Sequence, residues 1–218
     1  MSVVGIVPAA GSGERLGSDG PKAFVVCGGR PLVEWSVEAL RAVCDRVVVA
    51  VPSGYEDPAR DFVRGGSVRS ESVRLALAAV PEATVAVVQD AARPLVTSAL
   101  VQQCIDALDG DGGCDGAIAA AAMTDTVKEA APDDLRVVRT LDRTVLWRIQ
   151  TPQVFRADVL RRALDVSPEA LAAATDDAAL VEAAGGVVRV VEAPPENIKV
   201  TRAVDLHVAE ILLAERAH

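Results

Sequence analysis

The chain has 218 residues, half of them hydrophobic and only 3% aromatic, with a formal net charge of −9. That size and apolar content support one core built from Val, Ala, Leu and Ile. The acidic balance and the few aromatics exclude a nucleic-acid groove, and no apolar stretch approaches the roughly 18 residues of a membrane span. Cys27, Cys44, Cys104 and Cys114 form no C-x-x-C pair and have no nearby histidine. This argues against zinc and for reduced thiols in a cytoplasmic protein. The N-terminus has neither the basic segment nor the apolar length of a secretory signal.

Residues 3–7 are an apolar run that predicts a buried parallel strand. It breaks at once into Pro8-Ala9-Ala10-Gly11-Ser12-Gly13-Glu14-Arg15-Leu16, with Pro21-Lys22 following. A strand that ends in small residues exposes backbone N–H groups, which suit phosphate oxygens. Arg15 and Lys22 add two cations to the same loop. The dinucleotide fingerprint fails because Leu16 stands where its third glycine belongs. Walker A fails at Gly20-Pro21-Lys22-Ala23 on spacing and on the missing hydroxyl. A glycine-rich turn without a ligand is the alternative reading of the loop.

Further along, residues 32–43 predict a helix with Pro31 at its first turn, and Arg46–Val51 a strand stopped by Pro52. Residues 70–79 read as a helix, 84–89 as a buried strand, and 98–108 as a helix begun by Thr97 or Ser98. Gly116–Ala122 is a further strand. Helices are expected over 158–166 and 176–184, the second capped by Thr175 and ended by Gly185-Gly186. A strand follows over 187–191, and Val204, Val208, Ile211 and Leu212 give the closing helix one apolar face. β-branched strands alternating with helices imply a Rossmann-like three-layer α/β/α fold with a mainly parallel sheet. Ligands in such folds sit beyond the carboxyl ends of the strands. Residues 124–151 break the alternation: they are polar, with a Pro132-Asp133-Asp134 turn between β-like pieces at 126–128 and 136–140. An excursion of this length reads as a projecting β-arm on a single domain spanning 1–218.

Several polar segments fall at expected strand ends. Gln89-Asp90-Ala91-Ala92-Arg93-Pro94 follows the strand at 84–89, where an aspartate could hold magnesium beside a triphosphate; a turn-capping Asp90 is the alternative. Gly65-Gly66-Ser67-Val68-Arg69-Ser70-Glu71-Ser72 opens a helix, and from spacing alone it reads equally as an ordinary capped start. Asn197-Ile198-Lys199-Val200-Thr201 places Lys199 just before the final helix. Only three lysines occur against nineteen arginines, and Lys22, Lys128 and Lys199 each lie in a segment of this kind.

Taken together, the phosphate loop, Gly65-Gly66 through Ser72, Gln89 through Pro94, Asp125-Thr126-Val127-Lys128, Asp142-Arg143, Gln150-Thr151-Pro152-Gln153, Thr175-Asp176-Asp177-Ala178 and Asn197 through Thr201 resemble the nucleotidyltransferases of the sugar-nucleotide type. More narrowly, they resemble the cytidylyltransferase family that acts on 2-C-methyl-D-erythritol 4-phosphate in the non-mevalonate isoprenoid pathway. The resemblance runs in order through nearly the whole chain and departs at Gln89, where the family has histidine. It implies CTP as co-substrate, with Mg²⁺ at Asp90. CTP would be held by Pro8, Ala9, Ala10, Gly11, Ser12, Gly13, Gly66, Arg69, Ser72 and Ala91. The sugar-alcohol phosphate would meet Asp90, Arg93, Thr126, Arg143, Thr151 and Lys199, with Arg15, Lys22, Arg143 and Lys199 as the catalytic cations. The arm would embrace a second subunit in a homodimer. A ribitol 5-phosphate cytidylyltransferase and a non-catalytic nucleotide-binding regulator are the alternatives. Both histidines, His207 and His218, are remote from these loops. None is needed as a base, because a phosphate monoester with a second pKa of about 6 is already ionised at neutral pH.

Overall fold

Apolar strands of four to seven residues need cover on both faces, and here helices supply it. The computed structural model describes residues 1–13, 20–110 and 112–216. Its strands are β1 (Val3–Pro8), β2 (Val26–Cys27), β3 (Arg30–Pro31), β4 (Arg46–Val51), β5 (Phe62–Arg64), β6 (Val85–Val88), β7 (Gly116–Ala122), β8 (Lys128–Ala130), β9 (Val137–Thr140), β10 (Trp147–Arg156) and β11 (Val188–Glu192). The helices are α1 (Leu32–Arg41), α2 (Arg69–Ala78), α3 (Ser98–Asp106), α4 (Ala157–Leu164), α5 (Pro168–Ala173), α6 (Asp177–Ala183) and α7 (Ala203–Arg216).

A seven-stranded sheet runs in the order β11-β7-β10-β6-β1-β4-β5. Every pairing in it is parallel except those of β10, which is antiparallel to both β6 and β7. Alternation along β1 sends Val3 and Val7 to one face and Val4 and Ile6 to the other. The first face packs on α1 and α3, and the second on α2, α4, α5 and α6. Each fully buried Val or Ile contributes about 1.5–3 kcal/mol over an exposed one, so these two layers rather than helix propensity hold the fold. The result is the expected three-layer α/β/α arrangement. A third, smaller cluster of Cys27, Leu32, Leu95, Val200, Ala209 and Leu213 fixes α7 against the β2–β3 hairpin. Among the described residues no helix is long and apolar enough to cross a membrane.

Three local readings need correction. Trp147–Arg156 is a strand that the sequence pattern does not announce, and its first five residues, 147–151, overlap the expected excursion. It lies in the middle of the sheet, where Gln153–Arg156 pair with β6 and Trp147–Ile149 with β7. Helix α6 is capped by Asp176, whose Oδ1 accepts from the Ala179 N–H at 2.9 Å, rather than by Thr175. Helix α5 is an addition to the expected elements, although Ser167 caps it and Pro168 occupies its first turn. By contrast, Thr97 caps α3 as expected, accepting from the Leu100 N–H at 3.2 Å. Strands β8 and β9 pair only with one another, and both are exposed along their length.

Candidate active site

The loop after β1 owes its shape to its small residues. The Ala9 N–H donates to the Ala50 carbonyl at 2.7 Å, extending the β1–β4 register by one residue. Gly13 has φ +78°, and a Cβ there would stand 2.7 Å from the Cβ of Lys22. Only glycine lets Lys22 return against the loop, where its N–H donates to the Gly11 carbonyl at 3.3 Å. Arg15 lies outside the described residues, as does His218.

A cavity of about 520 Å³ opens at the carboxyl ends of β1 and β6, within the usual range for a small-molecule site. Every residue expected to hold the nucleotide lines it, as do Lys22, Asp90 and Lys199. One wall is the segment before α2. The Gly65 N–H donates to the Val51 carbonyl at 2.7 Å, and the Gly66 N–H to Ser72 Oγ at 3.0 Å. Glu71 Oε2 accepts from both the N–H and the hydroxyl of Ser67, at 2.7 and 2.8 Å. A Cβ on Gly65 would lie 2.6 Å from Ala10 Cβ, so the two loops touch backbone against side chain.

Charge is concentrated at the opposite wall. Asp90 Oδ1 accepts from Arg69 Nε at 3.1 Å, while Oδ2 meets Lys199 Nζ at 2.8 Å and Arg93 Nε at 3.6 Å. Arg69 also donates from Nη1 to Asp177 Oδ2 at 2.5 Å. Burial alone would raise the Asp90 carboxyl, but Arg69, Lys199 and Arg93 outweigh it and hold the group well below the usual carboxylate range. Burial likewise pushes the Asp177 carboxyl up, against the opposing pull of Arg69. Two carboxylates facing three cations leave the wall with an excess of positive charge, which suits an anion.

Lys199 reaches this wall because its neighbours are fixed. Asn197, fully buried, donates from Nδ2 to Gln150 Oε1 at 2.8 Å and to the Thr151 carbonyl at 2.9 Å. Its own carbonyl accepts from Arg93 Nη1 at 2.7 Å. The Val200 N–H donates to the Ala92 carbonyl at 2.8 Å. Arg93 thus spends its guanidinium on backbone carbonyls and on Asp90. Gln89 is buried and donates to the Asp90 carbonyl at 3.2 Å, lining neither cavity.

A second cavity of about 340 Å³ adjoins the first, with Arg69, Asp90 and Lys199 common to both. It contains Arg93 and Thr151, whose Oγ1 accepts from the Asp90 N–H at 3.0 Å. Thr126 and Arg143 line neither cavity of their own chain. Both are exposed, and Arg143 Nη1 donates to the Thr124 carbonyl at 2.6 Å. Asp90 does not fit as a direct magnesium ligand, contrary to expectation, because both its oxygens already face cations at these distances. Asp177 and Asn197 enter the sequence reading only as parts of matched segments. Asp177 meets Arg69 across 108 positions, a separation that leaves no local signal.

The loop after β1 and the cationic wall thus line the larger cavity together, with the second cavity beside them. The family model described as 2-C-methyl-D-erythritol 4-phosphate cytidylyltransferase matches residues 3–215. A protein of that name from Nocardia farcinica is 43% identical over 99% of this chain and 96% of its own length. Another from Frankia casuarinae is 44% identical over 97% of this chain and 81% of its own. The crystal structure of the Thermus thermophilus protein of the same name superimposes with a TM-score of 0.82 at 34% identity, covering 98% of this chain and all of that one. The chain belongs to the 2-C-methyl-D-erythritol 4-phosphate cytidylyltransferase family.

Proposed function

We propose that this chain transfers CMP from CTP to 2-C-methyl-D-erythritol 4-phosphate, giving 4-diphosphocytidyl-2-C-methyl-D-erythritol and pyrophosphate. The observation that carries the reading is the wall of Arg69, Asp90 and Lys199 shared by two adjoining cavities. CTP occupies the larger cavity, its phosphates on the loop after β1 and its base against Gly66. The acceptor phosphate occupies the smaller one beside Thr151. One acceptor phosphate oxygen forms a bond to the α-phosphorus, and the bond from that phosphorus to the α–β bridging oxygen breaks. The electron pair leaves with pyrophosphate. No proton need be removed from the nucleophile, so the chain's task is to align two anions and to offset charge as it builds. Lys199, held on Asp90, sits at the boundary to do this, while Lys22 lies on the triphosphate side. Mg²⁺ would travel on phosphate oxygens and water, since Asp90 as placed offers it no ligand.

Two further parts of the reading concern assembly and setting. Leu135, Val137, Val138 and Val145 are each more than half exposed around the β8–β9 hairpin, which supports an arm over about residues 124–151 that packs on a second copy and delivers Thr126 and Arg143 to its site. The unpaired cysteines, three of them buried, support a reducing cytoplasmic setting.

The decisive experiment is CTP-dependent pyrophosphate release with a panel of sugar-alcohol phosphates. Turnover confined to methylerythritol 4-phosphate is the expected result. Preference for ribitol 5-phosphate, or nucleotide binding without turnover with any acceptor, overturns the reading. Gly65→Ala tests the packing behind the base wall, since Ala10, which it would meet, lines the cavity. The added methyl strikes Ala10, and overpacking of about 1–3 kcal/mol falls on the cavity's edge. Calorimetry is expected to show CTP affinity weakened roughly tenfold, with kcat at saturating CTP little changed.

A further inference from the structure

Asp177 is fully buried at the start of α6. Its Oδ2 binds Arg69, while its Oδ1 is among the buried side-chain atoms that have no hydrogen-bond partner. A buried carboxylate with one oxygen unsatisfied is an expensive choice, because a well-packed apolar residue in place of a buried ion pair is often neutral or stabilising. The placement is nonetheless enforced. Asp176 Oδ2 accepts from Gln153 Nε2 at 2.7 Å and Gln153 Oε1 accepts from the Ala178 N–H at 3.3 Å, so the first turn of α6 is tied to β10 on both sides of Asp177. From there an alternating line of charge runs outward: Asp177, Arg69, Asp90, Lys199.

The line explains how Asp90 divides its oxygens. A guanidinium left to itself beside a carboxylate favours the two-pronged arrangement that takes both oxygens. Arg69 instead gives Asp90 only Nε, on Oδ1, while its Nη1, on the other edge, is anchored by Asp177, which fixes how the guanidinium is turned. Oδ2 is thereby left to Lys199. We propose that Asp177 is a positioning residue. By restraining Arg69 to one oxygen of Asp90, it keeps the other for Lys199 and so sets the ammonium at the boundary between the two cavities. The consequence for turnover rests on the cytidylyltransferase reading above, whereas the placement of Lys199 does not.

The test uses the full chain with Asp177→Asn, which keeps the shape and removes the charge, and Asp177→Ser as a second neutral variant. The chain has only three lysines. Labelling lysine Cε with ¹³C therefore gives three signals, and that of Lys199 is identified by its loss in Lys199→Met. Both neutral variants are expected to move the Lys199 signal and leave those of Lys22 and Lys128 in place. CTP affinity by calorimetry is expected to stay within about twofold while kcat falls about 10- to 100-fold, as a small misplacement of a reacting group does. In an Arg69→Gln background, Asp177→Asn is expected to add less than a twofold further loss, because the two act as one unit. An unmoved Lys199 signal overturns the proposal, as do additive losses in the double variant or a failure of both neutral variants to fold. A Lys199 signal that moves in a protein inactive with every acceptor instead overturns the function and leaves the positioning role standing.

Discussion

Lys199→Met is expected to lower kcat by about 10²- to 10³-fold, the usual loss when one preorganised charge at the reacting centre is removed. Its ammonium is the only lysine group common to both cavities among the described residues. It is held at 2.8 Å from Asp90, so little reorganisation is needed when charge moves to the departing pyrophosphate. The side chain is 42% exposed, and pairs of that kind contribute only about 0–1 kcal/mol to stability. The variant should therefore melt close to the unaltered chain. Pyrophosphate release at saturating substrates, beside a melting curve, checks both halves. Lys199→Arg should rescue little, because a planar fork cannot reproduce the reach of a compact ammonium. A kcat within fivefold of the parent would remove Lys199 from the mechanism.

Asp90→Asn is expected to cost both stability and turnover. It leaves Arg69, Arg93 and Lys199 facing one another without their shared counter-charge. Breaking a buried pair in this way typically costs about 3–5 kcal/mol, readable by denaturant unfolding, and kcat should fall at least as far as in Lys199→Met. The sign of the pH dependence follows from the direction of the shift. The folded Asp90 carboxyl is held below its unfolded value, which is about 3.9. It contributes stability that is present above that pH and is lost as pH falls towards the folded value. The unaltered chain should therefore lose more stability than Asp90→Asn on acidification below about pH 4–5. Asp177, which shares Arg69 with Asp90, is shifted the opposite way. Equal acid slopes would show that Asp90 is not held low.

Much of the site could be read from local sequence because its parts are local. An apolar strand that stops at Pro8 and runs into Gly11-Ser12-Gly13 announces an open backbone wherever the chain folds, and Asp90 and Lys199 each follow an element end. The centre of the sheet was harder. β10 carries Arg148, Gln150, Thr151, Pro152 and Gln153, a polar run without β-strand alternation. It is a strand because β6 and β7 pair with it from both sides. The buried Gln150, Thr151 and Gln153 are tolerated because Asn197, Asp90, Asp176 and Ala178 satisfy them. Those partners lie 23 to 61 positions away, and single-chain periodicity carries no trace of them. The division of Asp90's oxygens among three cations was hidden for the same reason.

The short run from Asn197 to Val200 behaves as a gauge. Both ends are clamped to the body of the protein, Asn197 through Gln150 and Thr151 and Val200 through Ala92. One inserted residue would add about 3.3–3.6 Å of contour, more than the 2.8 Å that separates Lys199 Nζ from Asp90. Chain length is therefore quantised at this point, and α7 beyond it is held in turn, with Leu213 in the small core cluster and Arg216 Nη1 donating to the Leu95 carbonyl at 2.8 Å. Divergence in this region should proceed by exchange of side chains and not by gain or loss of backbone.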